Sequence, residues 1–141
     1  MFPERLDKYV MPLLQKLEMH LDQSGYLQLI YILTLDHQMI CADYEVEVEN
    51  KRVKLHHTQL SAFDENEQAY TPVFCAGEMK WQIQGGCATL VSVNNQSGRF
   101  RPPSTAIKFV YAYLETLREN PRICLPDSLE SCTSYVMKSP S

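Results

Sequence analysis

At 141 residues, 45% of them hydrophobic and 21% charged, the chain has the length of one domain and enough apolar material for a core, which argues against wholesale disorder. A net charge of −4 at pH 7 argues against a nucleic-acid binder, which needs a basic face, and against electrostatic docking on anionic membranes. No apolar run approaches the ~20 residues of a membrane span, and residues 1–22 lack a signal-peptide layout, so the expected location is cytoplasmic.

Residues 3–22 read as a helix, with Leu6, Tyr9, Val10, Leu13, Leu14, Leu17 and Leu21 forming one apolar stripe. Pro12 lies inside the stripe and predicts a kink or a split. Residues 26–35 read as a strand apolar on both faces, which is the pattern of a central strand. Residues 40–49 alternate, with Ile40, Ala42, Tyr44, Val46 and Val48 on one face and Cys41, Asp43, Glu45, Glu47 and Glu49 on the other. Asn50-Lys51 reads as a hairpin turn that sets Val46 against Leu55, Glu47 against Lys54 and Glu45 against His56.

Residues 61–71 are polar and predict a loop. A second hairpin follows, residues 73–84 and 87–94 about Gly85-Gly86, placing Trp81 near Leu90 and Ile83 near Ala88. Ser104 is an expected N-cap for a helix ending near Glu119. The expected fold is therefore α+β: a meandering antiparallel sheet of about five strands with an N-terminal and a C-terminal helix. Residues 1–121 make one domain in this reading, and residues 122–141 are an extended or frayed tail.

Candidate chemistry is sparse. The five cysteines, Cys41, Cys75, Cys87, Cys124 and Cys132, contain no Cys-x-x-Cys pair and read as free thiols of a reducing compartment. His56 and His57 are adjacent and point to opposite faces of a strand, so they do not ligate one metal together. No metal and no cofactor are expected. Glu78 breaks an apolar run on the face opposite Cys75, Met79 and Trp81, either as a catalytic acid or as an anchor for the loop containing Asn95 and Ser97. That loop, residues 94–102, leads into a helix N-terminus with Arg99 and Arg101 close by, a pattern suited to a small anion. Its bland alternative is a turn whose arginines pair with the chain's own acids.

The succession His56-His57-Thr58-Gln59-Leu60, Ala76-Gly77-Glu78 and Asn95-Gln96-Ser97-Gly98-Arg99-Phe100-Arg101-Pro102 resembles a small domain found in two settings. One is the C-terminal part of plant IQ-motif calmodulin-binding proteins. The other is a group of bacterial and fungal toxin- or effector-like proteins. The resemblance covers roughly residues 31–117. Where those proteins carry His and Tyr after Ser-Gly, this chain carries Arg99 and Phe100, and it lacks an IQ motif. The resemblance implies a fold and a site location, not a reaction, and it allows delivery into a host cell as an effector without a signal.

Two functional readings stand at this point. One is a non-catalytic interaction or regulatory module that recognises a protein or small anion through Asn95, Ser97, Arg99 and Arg101. The other is an enzyme with a cleft formed by His56 or His57, Glu78, Asn95, Ser97 and Arg99. A homodimer seam formed by the first helix and the exposed face of the central strand, where Ile30 and Ile32 need covering, is a further expectation.

Overall fold

A computed structural model describes residues 8–56, 60, 73–97 and 102–135. The helix expected over residues 3–22 is split at Pro12, whose ring and missing N–H do not fit a helix interior. Met11–Pro12 forms a short strand, β1, and α1 spans only Leu13–Met19.

Strand β2, Gly25–Thr34, lies inside the sheet, between β3, Met39–Asp43, and β6, Val73–Gln84. The continuous strand expected over residues 40–49 is broken at Tyr44. There the N–H donates to Gln28 O at 2.9 Å, while the Tyr44 carbonyl accepts from Leu55 N–H at 3.1 Å. The chain thus leaves the main sheet and forms a separate ribbon of β4, Glu45–Val48, and β5, Lys51–Lys54.

Glu49 and Asn50, with φ of 52° and 67°, are the two turn residues, the left-handed pair that a tight hairpin of this twist requires. The register is therefore shifted by two from the expected one: Val46 faces Val53, Glu47 faces Arg52 and Glu45 faces Lys54. Opposite charges still meet across the strands. Around Gly85-Gly86 the β6–β7 hairpin has the expected pairs, Trp81 with Leu90 and Ile83 with Ala88, with β7 spanning Cys87–Asn94.

After β7, a 3-10 turn at Ser104–Ala106 leads into α2, Ile107–Glu115. Ser104 is the first residue of that turn, not the cap of the α-helix. The segment from Arg122 is packed as far as it is described. Strands β8, Ile123–Cys124, and β9, Thr133–Tyr135, pair parallel with β7, and Leu129 between them is buried.

The chain is thus mixed α/β, mostly strands with two α-helices among the described residues. The main sheet runs β1-β3-β2-β6-β7-β8, with β9 also on β7. It has more strands than the five expected, and it is not a meander, because β2 has β3 and β6 as neighbours while β4–β5 stands apart.

Period-two alternation gives the sheet two buried faces. On one, Leu29, Tyr31, Leu33 and Trp81 pack with Leu13 and Leu17 of α1 and Val110 and Leu114 of α2. On the other, Ile30, Ile32, Ala42 and Ala76 are covered by Val10, Val46, Leu55 and Leu60. Ile30 and Ile32 are each 1% exposed within one chain, so the apolar face that motivated a homodimer seam is closed by the ribbon and its flanks. No helix among the described residues is long and apolar enough to cross a membrane.

Candidate functional site

The sequence-predicted site converges, in part, where β7 ends beside β6. Alternation along β6 puts Glu78 opposite Ile30 and on the face away from Met79 and Trp81. Its backbone N–H donates to Asn94 Oδ1 at 2.9 Å, and its Oε1 accepts from Asn94 Nδ2 at 3.2 Å. Asn94 Oδ1 also accepts from Gln96 N–H at 2.9 Å, so one amide side chain turns the chain out of β7 and fastens it to β6. Glu78 is thus an anchor for this segment, through Asn94.

Beneath this clasp lies Tyr31. Its hydroxyl donates to the Asn94 carbonyl at 2.6 Å and lies 3.7 Å from Cys75 Sγ. Burial, reinforced by Cys75, pushes the phenol well above its ordinary pKa, so it stays a neutral donor. Burial likewise raises the Cys75 thiol to about 11 and the Cys41 thiol to about 12, which removes both as thiolates at neutral pH.

Gly77 makes the close approach possible. A Cβ there would sit 2.1 Å from Asn94 O and 2.8 Å from both Asn94 C and Asn95 Cα, all backbone atoms.

The loop base is dry: Asn95 is 0% and Ser97 2% exposed. Asn95 Nδ2 donates to Pro103 O at 3.4 Å, joining the start of the loop to the residue before the 3-10 turn. His56 is exposed just past β5, and its expected position opposite Glu45 is taken by Lys54. His57, Arg99 and Arg101 lie outside the described residues.

Tyr31 and Asn94 were not singled out by sequence reasoning. Tyr31 is indistinguishable from an ordinary core aromatic in an apolar strand. The one available signal was Gly77, a glycine inside a strand, which marks a close backbone approach. Among the described residues no group of three His, Cys, Asp or Glu side chains is placed to hold a metal ion. Searches against protein-family models, curated proteins and solved structures return no match to this chain.

Proposed function

We propose that this chain is a non-catalytic binding or regulatory module that offers the loop 94–103 to a protein or small anion. Arg99 and Arg101 provide its charged contacts. The supporting observation is the use made of the polar side chains at the loop base. Glu78, Asn94 and Tyr31 spend their hydrogen bonds on holding backbone and one another, while Asn95 and Ser97 are buried. A rigid, prepaid loop base lowers the ordering cost of recognition, whereas an acid–base mechanism needs such groups open to a substrate. The resemblance to the IQ-protein C-terminal and toxin-like domains supports the same location, since their most specific motif falls on residues 97–102.

The test is a thermal-shift titration with inorganic phosphate and sulfate. Phosphate at about a hundredfold excess over its dissociation constant should stabilise the folded chain by roughly 2.7 kcal/mol. Arg99→Ala combined with Arg101→Ala should abolish that shift. An unchanged shift in the double variant refutes the anion reading, and turnover of any substrate that is lost in Glu78→Gln refutes the non-catalytic one.

A further inference from the structure

We infer that the notch beside the first residues of β2 is a binding site for an uncharged saccharide of one or two pyranose rings. It lies about 16 Å from the Tyr31–Asn94 clasp, five residues along β2 at roughly 3.3 Å each, and so is separate from the loop 94–103.

The notch arises where the chain leaves the sheet. Strand β3 accompanies β2 only as far as Asp43 opposite Leu29, and Tyr44 adds one bond to the Gln28 carbonyl before the ribbon begins. Gly25, Tyr26 and Leu27 keep strand partners in β6 alone among the described residues. The space left open is a cleft of about 410 Å³ lined by Tyr26, Leu27, Gln28, Asp43, Tyr44 and Glu45. That volume falls within the ~300–1,000 Å³ of small-molecule sites.

The chemistry of the lining decides the ligand class. Its two carboxylates carry no spare charge: Asp43 Oδ2 accepts from Lys16 Nζ at 2.8 Å, while Glu45 pairs with Arg52 at 3.4 Å and faces Lys54 across the ribbon. An ion of either sign therefore meets no uncompensated partner in the lining. An apolar ligand fares no better, since Leu27 is the only aliphatic side chain of the six.

What the cleft offers is a mixture of donors and acceptors. The Tyr26 and Tyr44 hydroxyls and the Gln28 side-chain amide make no hydrogen bond among the described residues. Backbone groups of an antiparallel strand alternate between neighbours, and the Gln28 carbonyl faces Tyr44, so the N–H and C=O of Tyr26 face the notch as well. The paired carboxylates keep further lone pairs for a hydroxyl.

Sugar hydroxyls answer such a set, because each donates one hydrogen bond and accepts others. A sugar's C–H face packs on an aromatic ring. Gln28 lies opposite Tyr44 and two residues from Tyr26, so by alternation all three side chains rise from one face of the sheet, the tyrosines at the diagonal spacing of about 7–8 Å. The stacking ring is Tyr26, 60% exposed, with Lys80 Nζ over one face at 4.6 Å from its centre. Tyr44, packed against the second core cluster and beneath Lys54 Nζ at 5.5 Å, contributes its hydroxyl.

The test is a titration of the isotope-labelled full chain, read by amide chemical shifts. The probes are the methyl glycosides of glucose, galactose, mannose and N-acetylglucosamine, with maltose and cellobiose. At least one should move the Tyr26 backbone amide and the Gln28 side-chain amide with a Kd of about 1 mM or tighter. Tyr26→Ala and Gln28→Ala, both at exposed positions outside the core, should each weaken that binding at least about fivefold and leave the thermal midpoint in place. Glucosamine and glucuronate should bind within about twofold of glucose, and a tenfold gain for either overturns the assignment to a neutral ligand. No shift from any of the six at roughly 50 mM overturns the site. So do shifts confined to residues away from β2 and Tyr44, or binding that both variants leave unchanged.

Discussion

Replacing Gly77 by alanine tests the clasp directly. The added methyl would lie 2.1 Å from the Asn94 carbonyl oxygen, against 3.4 Å or more for an ordinary contact, so the oxygen must retreat by about 1.3 Å or β6 must yield as much. Either movement takes the 2.6 Å Tyr31–Asn94 bond out of range. A buried hydroxyl left without its acceptor costs about 1–3 kcal/mol, and forcing a methyl into a filled core costs about the same again. Together these predict a loss of about 4 kcal/mol, or roughly 12 °C in Tm for a chain of this size. The single tryptophan, Trp81, is fully buried four residues along β6 and reports unfolding in urea by its fluorescence. Tyr31→Phe should cost about 1–2 kcal/mol in the wild-type chain and close to nothing in the Gly77→Ala chain, because the bond it removes is already gone. A Gly77→Ala midpoint within about 0.5 kcal/mol of wild type, or full additivity of the two substitutions, refutes the reasoning.

Two other outcomes are expected. Lys16 is 4% exposed and rests on the half-buried Asp43, so Asp43→Ala, which strands a buried ammonium, should cost about 3 kcal/mol while Lys16→Met costs less than about 1; equal urea midpoints for the two variants would contradict this. The Cys41 and Cys75 thiols, raised in the folded chain to about 12 and about 11 from 9.0, are neutral when folded and ionised when unfolded across that interval. Their contribution is therefore complete below pH 9 and lost as pH rises towards 11 and 12, at about 1.4 kcal/mol per pH unit for each thiol. Urea midpoints from pH 8 to 10.5 should fall accordingly and fall less steeply for Cys41→Ala; an identical slope in that variant would count against the burial argument.

How much of this was legible depended on whether local chemistry or distant packing decided each element. The β6–β7 hairpin was readable pair by pair, because Gly85 and Gly86 are the residues a left-handed turn prefers and both strands alternate cleanly. The β4–β5 ribbon was readable as a hairpin but two residues out in register. Its turn puts Glu49, a residue that rarely adopts positive φ, at the first corner, so the signal from Asn50 pointed one position too far along.

The exit of the chain from the sheet at Tyr44 left no trace in composition, since apolar–polar alternation runs through it unbroken. Strands of two or three residues such as β8 and β9 are held by β7, not by their own propensity, and a Ser- and Pro-rich stretch disguised them. Within the site, Glu78 was identifiable as a carboxylate needing an explanation. Its partner Asn94 was not, because a strand-terminal asparagine is common and only the tertiary approach over Gly77 gives it a task.

The parallel pairing of β8 and β9 to β7 has a consequence for synthesis. Residues 88–94 are joined by partners made some 35 to 41 positions later, Ile123 with Ala88 and Tyr135 with Asn94. Until that stretch has left the ribosome, β7 presents a naked row of amides and carbonyls, the kind of surface on which nascent chains stick to one another. Premature stops between residues 116 and 122 should therefore yield insoluble chains although both hairpins and both helices are already encoded.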